Sequence, residues 1–307
     1  MLLSWFLLFR SSPAFLMPTY LFRCAVVTGA NKGIGLEICR QLASNGVLVV
    51  LTARDEKRGV EAVENLRQCG LTDVVFHQLD LLNPTSIASL AEFIKAQFGK
   101  LDILVNNAAI NGIMINTDPL RVQSDWQTIV REAVVQTYEL AEECLKANYY
   151  GTKGVTEALL PLLKLSNSAR IVNVSSRYGQ LKNICNKWAE EVLSDVDSLT
   201  EGKIDEVLNE FLKDYREGLL ESKSWPAAPS AYIVSKSVIN AYTRILAKKF
   251  PTISINCVCP GFVKTDLNSN IGTLTVEEGA EGPVGLALML DDRSSGQFFS
   301  KKEVVSF

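Results

Sequence analysis

From Arg23 onward the chain alternates short, continuous apolar runs with longer segments whose apolar residues recur every three to four positions. Runs of the first kind predict strands buried on both faces, and segments of the second predict amphipathic helices. Cys24 to Thr28 predicts a first strand, and Leu36, Ile38, Cys39 and Leu42 predict a helix over about Gly35 to Asn45. Val47 to Leu51 predicts the second strand, followed by a helix over about Lys57 to Cys69. Val74 to Leu79, Ile103 to Val105, Ile171 to Val174 and Ile253 to Val258 supply further strands, with amphipathic segments between most of them. Strands alternating with helices are the pattern of βαβ units, so the expected class is α/β, a doubly wound parallel sheet. No internal repeat or low-complexity linker interrupts residues 23–307, which are expected to form a single domain.

One stretch breaks the alternation. Residues 177–231 carry no strand-like run and predict a helical insertion before the segment that opens at Tyr232. Within it Ile204, Val207, Leu208, Phe211, Leu212 and Tyr215 fall at offsets of 3, 4, 7, 8 and 11, one apolar stripe on a helix that ends before Trp225-Pro226. The stripe is expected to pack on the body of the protein near the helix that carries Tyr232.

Residues 1–22 are a hydrophobic extension whose only charge is Arg10. Its apolar run of Met1 to Phe9 resembles a signal core, but no basic residue precedes it, no small-x-small site follows, and the first strand begins near Arg23. The run falls well short of the roughly 20 residues that span a bilayer, and Pro13 and Pro18 interrupt its continuation. A targeting segment, an anchor, a dispensable extension and a start placed too far upstream all stay open. Membrane association is expected only through these residues; the location is otherwise expected to be cytoplasmic, with attachment to the endoplasmic reticulum through residues 1–22 as the alternative.

Composition narrows the chemistry. Hydrophobic residues make up 47% and charged residues 21%, an ordinary globular mixture. The 31 basic against 34 acidic side chains leave a net charge of −3, without the basic excess that nucleic-acid binding needs. His77 is the only histidine, which excludes multi-histidine zinc sites and leaves one possible base for a Ser-His-Asp or Cys-His hydrolase. It lies in the alternating run Val75 to Leu79 and reads as structural, so another group must act as general acid, and no metal is expected. Seven scattered cysteines, without a CxxC pair, suggest reduced thiols.

The chemistry begins at Thr28-Gly29-Ala30-Asn31-Lys32-Gly33-Ile34-Gly35, which follows the first strand and opens the first helix. That is the context of a dinucleotide loop: Gly29 permits the tight turn, Gly33 lets backbone amides approach the pyrophosphate, Gly35 allows helix and strand to pack closely, and the helix N-terminus attracts the phosphates. At the end of the second strand, where a carboxylate would bind the ribose hydroxyls of NAD, stand Ala53 and Arg54. Arg54 and Lys32 would meet a 2′-phosphate, so the expected cofactor is NADPH.

These features, taken with Asp80 after the third strand, Asn106-Asn107-Ala108, Asn148, Ser176, Tyr232-x-x-x-Lys236 and Pro260-Gly261, resemble the short-chain dehydrogenase/reductase family over nearly all of residues 23–307. The resemblance implies a Rossmann-type fold and reversible hydride transfer between a nicotinamide and a carbonyl or alcohol. It assigns Tyr232, Lys236, Ser176 and Asn148 to catalysis: Tyr232 as proton donor, Lys236 on the nicotinamide ribose, Ser176 orienting the carbonyl, and Asn148 holding a water that links the lysine to solvent. It adds Leu81 beside Asp80 at the adenine, Asn107 near the nicotinamide, and Pro260, Gly261, Val263 and Thr265 to the cofactor contacts, while Asn106 braces the strand end. Independently of the family, Tyr232 and Lys236 four apart lie one turn along the same helical face, and an ammonium there would draw the phenol toward neutrality. One departure is Ala109, where the family usually has glycine.

Ser176 and Tyr232 stand 56 positions apart, far more than is usual for the family, and the layout resembles its monomeric carbonyl reductases. Segments such as Asn31 to Gly35 and Gly261 to Thr265 are similar to the plant branch that contains salutaridine reductase and the menthone and neomenthol reductases. That likeness implies a monomer acting on a hydrophobic ketone or aldehyde of terpenoid or alkaloid type. Adjacency to the motifs nominates Met114, Tyr178, Trp225 and Phe262 as substrate contacts beside Ser176. Two other readings stay open: a catalytically weak NADP-binding regulator or scaffold, and a reductase of an activated C=C bond.

Overall fold

A computed structural model describes residues 23–115, 134–289 and 294–307; the extension over residues 1–22, with the targeting and membrane questions that attach to it, lies outside the described residues. Eight strands form one sheet in the order β10-β9-β8-β7-β4-β1-β2-β3. They are β1 (Cys24–Val27), β2 (Leu48–Ala53), β3 (Val74–Gln78), β4 (Ile103–Asn106), β7 (Arg170–Val174), β8 (Ser254–Cys259), β9 (Phe298–Ser300) and β10 (Glu303–Val305). All neighbours run parallel except β10, which returns antiparallel on β9. A two-stranded pair, β5 (Met114–Ile115) with β6 (Val134–Val135), stands apart.

Alternation along the strands builds two cores. Val26, Leu104, Ile171 and Ile255 face helices α3 (Pro84–Phe98), α4 (Tyr138–Leu145), α5 (Thr152–Leu163) and α8 (Ser230–Lys249). Their neighbours Val27, Val105, Val172 and Val258 face α1 (Gly33–Ser44), α2 (Glu56–Gln68) and α9 (Val276–Leu288). Both faces are covered, which is why the strands read as continuous apolar runs. Strand order reverses between β1 and β4, and in such sheets ligands bind in the crevice beyond the carboxyl ends of the strands at that switch point. The expected doubly wound sheet is present; β9 and β10 lengthen it beyond the strands predicted from the pattern.

Between β7 and α8 the insertion forms α6 (Lys187–Ser194) and α7 (Glu201–Arg216). Ile204, Val207, Leu208 and Phe211 are buried, with Leu212 and Tyr215 partly so, and α7 packs against α4 and α8. Thr200 caps its start, and Lys153 of α5 reaches Glu201 at 2.6 Å. The indole of Trp225 lies edge-on to Phe211 and donates to the fully buried Asp214 at 2.8 Å, while Lys223 reaches the other oxygen of that carboxylate at 2.6 Å. His77 bonds the carbonyl of Gln78 and lies against Phe93, and burial lowers its pKa, as suits a structural residue.

Candidate active site

The glycine loop is held from both sides. Thr28 Oγ1 accepts the backbone N–H groups of Asn107 and Ala108 at 2.9 and 3.0 Å, and Ala30 N–H donates to Thr52 at 2.8 Å. Gly29 and Gly33 have φ of 62° and 57°, the left-handed region that favours glycine. A Cβ on Gly35 would lie 2.5 Å from Asn107 Nδ2 and 2.6 Å from the carbonyl oxygen of Gly29, so the loop closes on itself at van der Waals limit. The start of α1 has neither a side-chain cap nor an acidic residue in its first turn. Uncapped N–H groups at a helix N-terminus on a switch-point crevice suit a pyrophosphate. Asn31 and Ile34 belong to this same turn.

Other expected cofactor residues surround the loop. Arg54 is exposed just past β2 and makes no ion pair among the described residues, whereas the neighbouring carboxylate, Asp55, caps α2 by accepting from Arg58 N–H at 3.0 Å. Asp80 Oδ1 accepts Leu82 N–H at 3.0 Å, and Leu81 packs against Gly151, where a Cβ would come within 2.7 Å. Past β8, Pro260 and Gly261 turn the chain so that Val263 is buried and Thr265 lies beside Gly33. That segment supplies Asp266, which pairs with Lys32 at 2.5 Å. Lys32 was expected to be free to meet a phosphate; in this structure its charge is matched by a carboxylate that the sequence reading did not single out.

Two adjacent asparagines at the end of β4 play different parts. Asn106 donates to Thr156 and Asn173, bracing the strand end as expected. Asn107 donates through Nδ2 to the carbonyls of Thr28 and Gly29 at 2.9 and 3.1 Å, so its side chain pins the glycine loop. Ala109 is not among the residues with left-handed backbone, so a side chain there carries no conformational cost.

Tyr232, Ser176 and Lys236 come together as the motif spacing implied. The Ser176 side chain lies near enough to the Tyr232 hydroxyl to lower its pKa, and Ser176 Oγ accepts Tyr178 N–H at 3.2 Å. Lys236 Nζ sits 5.5 Å from the centre of the Tyr232 ring and donates to the carbonyl of Val174 at 2.8 Å. The expected acidic phenol is not what this arrangement gives: burial pushes Tyr232 above the ordinary phenol range, only partly offset by the Ser176 side chain. Burial also draws Lys236 down to about 8, weakening the field that was to lower the phenol.

Asn148 lies in a π-helical turn, Lys146–Gly151, between α4 and α5. Its Oδ1 accepts Ile110 N–H at 2.9 Å, and Nδ2 donates to Ile110 O at 2.9 Å, Ser235 Oγ at 3.0 Å and Cys144 Sγ at 3.3 Å. The side chain therefore ties the segment after β4 to the tyrosine helix. Ser235 and Cys144 were not singled out from sequence, although a serine one place before Lys236 in an otherwise apolar turn was a readable signal.

Of the proposed substrate contacts, Tyr178 lies edge-on to Tyr232 with ring centres 6.3 Å apart and is about half exposed. Met114 and Phe262 are also exposed apolar side chains. Trp225 is different: at 5% exposure it belongs to the core of the insertion. A groove of about 560 Å³ between α6, α7 and Lys223 has neither Tyr232 nor Ser176 in its wall.

Comparison with known proteins agrees with this geometry. Residues 23–187 match the family model described as short chain dehydrogenase. The chain is 57% identical to a (+)-neomenthol dehydrogenase of Arabidopsis thaliana, covering 93% of this chain and 98% of that one. It is 41% identical to carbonyl reductase [NADPH] 3 of Rattus norvegicus, covering 92% and 97%. The solved structure of salutaridine reductase from Papaver somniferum superposes with a TM-score of 0.85 at 53% identity, covering 91% of this chain and 99% of that one.

Proposed function

Because the chain belongs to the short-chain dehydrogenase/reductase family of oxidoreductases, we propose that it reduces a hydrophobic ketone or aldehyde, of terpenoid or alkaloid type, to the alcohol with NADPH. The observation that carries this reading is the meeting of the Tyr232 and Ser176 side chains, with Lys236 Nζ 5.5 Å from the centre of the tyrosine ring. The names of similar proteins support the substrate class: a neomenthol dehydrogenase, a salutaridine reductase and a carbonyl reductase.

The α1 N-terminus and the loop from Thr28 to Gly35 would hold the pyrophosphate. Arg54 would take the 2′-phosphate, and with Asp55 occupied as a helix cap no carboxylate at the end of β2 is left for the ribose hydroxyls of NAD. Asp80, Leu81 and the turn from Pro260 to Thr265 would flank the remainder. When bound, the cofactor supplies hydride to the carbonyl carbon. Tyr232, kept protonated by burial, delivers its proton to the carbonyl oxygen. Ser176 donates a hydrogen bond to the same oxygen as negative charge develops. Lys236, while protonated, is a cation beside the phenol that eases release of its proton by favouring the phenolate, and Asn148 ties the segment after β4 to the tyrosine helix. α7 packs over α4 and α8, and in this reading the protein acts as a monomer.

The test is NADPH oxidation with a panel of cyclic monoterpene ketones, an alkaloid ketone, aromatic aldehydes and quinones, on a sample sized by gel filtration. The expected result is turnover of at least one apolar ketone or aldehyde, faster with NADPH than NADH, by a species eluting as one chain. Saturable NADPH binding with no turnover on any member would support a nucleotide-binding scaffold instead.

A further inference from the structure

Helix α8 carries Tyr232 in its first turn, yet it begins behind Pro229, which makes no side-chain cap. The first N–H groups of a helix have no partner within it. Here a residue 94 positions away supplies one: Gln136 Oε1 accepts the backbone N–H of Ser230 at 3.0 Å and its hydroxyl at 3.2 Å. A backbone N–H can only donate, so this contact fixes which way the Gln136 amide points. Ser230 is 2% exposed, so water cannot readily replace the lost acceptor.

The backbone around the same glutamine is also fastened, while its buried Nε2 has no hydrogen-bond partner among the described residues. Its carbonyl accepts Tyr215 OH of α7 at 2.6 Å. Two residues on, the Tyr138 ring lies edge-on to Tyr215 and beneath the Arg216 guanidinium, whose Nη2 donates to Tyr138 OH at 2.6 Å. One residue before it, Val135 pairs with Met114 across β5 and β6, and both side chains are exposed. Gln136 is thus the joint at which the insertion, the β5–β6 pair and the first turn of the tyrosine helix meet.

We propose that Gln136 is a positioning residue for carbonyl reduction, capping α8 from outside and so fixing the Tyr232 hydroxyl relative to Ser176 and to the Met114–Val135 pair. This rests on the reductase reading above. A local cap would leave the helix start independent of β6; a distant one makes the placement of the proton donor depend on the strand pair and on α7. Catalytic geometry tolerates little drift, so fraying of this turn weakens proton transfer without touching the nucleotide loop.

The experiment compares Gln136→Met, of similar length but without the acceptor, and Gln136→Glu, which keeps it, in the full chain. Turnover is measured on the best ketone of the panel across pH, alongside NADPH affinity and amide exchange of the peptide containing Ser230. With Gln136→Met, kcat is expected to fall roughly tenfold or more and its pH midpoint to move, exchange at Ser230 to rise, and NADPH affinity to hold. Gln136→Glu, which keeps the acceptor, is expected to restore exchange protection at Ser230 and most of kcat. Parental kcat and pH profile in Gln136→Met would overturn the proposal, even with faster exchange, because the cap would then be structural only. If no carbonyl is turned over by the parent, the reductase reading fails and the positioning role fails with it, while unchanged exchange would separately show that the cap itself is absent. Should Gln136→Met not fold, Gln136→Asn, one methylene too short to reach, is judged by the same outcomes.

Discussion

Tyr232 and Lys236 show what four residues of spacing do and do not determine. The motif puts the two groups one turn apart, and the structure keeps them there, but burial dominates the electrostatics: it raises the phenol and draws the ammonium down to about 8. Tyr232 therefore holds its proton through the neutral range, which suits donation. Lys236 is charged below about 8 and loses its proton above it. The sign follows: kcat for reduction is expected to be flat near neutrality and to decline as pH rises through about 8, where the cation that eases proton release from Tyr232 is lost. Steady-state reduction rates across pH check this, and a rate that climbs through that region would contradict it. Legibility at this scale depended on distance along the chain. The glycines, Ser176 and the Tyr-Lys pair announced themselves by local spacing, while Lys32 with Asp266 and Gln136 with Ser230 join distant polar residues that carry no periodic signal.

Elements were legible where apolar runs were long enough to have a pattern. The six strands from β1 to β8 in the main sheet match the predicted runs to within a residue or two, and the α7 stripe is buried as its offsets required. β9 and β10 escaped because three residues each cannot display a period, and β5 and β6 have two. Trp225 was misplaced because adjacency to the tyrosine segment in sequence does not imply adjacency to its hydroxyl: Phe211 and Asp214 hold the indole inside the insertion. The insertion is thus a packed element with its own anchors. Phe211→Ala removes a fully buried ring from it and is expected to cost about 3–5 kcal/mol, read as a lower urea midpoint at unchanged slope. Loss below about 1 kcal/mol would mean that α7 is not packed as described.

Across the whole molecule, the parallel sheet brings together at one end what the sequence scatters from Thr28 to Asp266. Loops after β1, β2, β3, β4, β7 and β8 all contribute to the candidate site, and the strand order makes that end a crevice. The insertion, by contrast, holds Asp214 with its own Lys223 and Trp225, ties Glu201 to Lys153 of α5, and lays its apolar stripe on α4 and α8. No helix of the described residues is long and apolar enough to cross a membrane. One proton donor carries the proposed reaction, and single-turnover reduction by Tyr232→Phe, at saturating NADPH and ketone, reads it most directly. A fall of roughly 100-fold or more, with NADPH affinity unchanged, is the predicted result; a mutant that reduces the ketone at the parent's rate would contradict it.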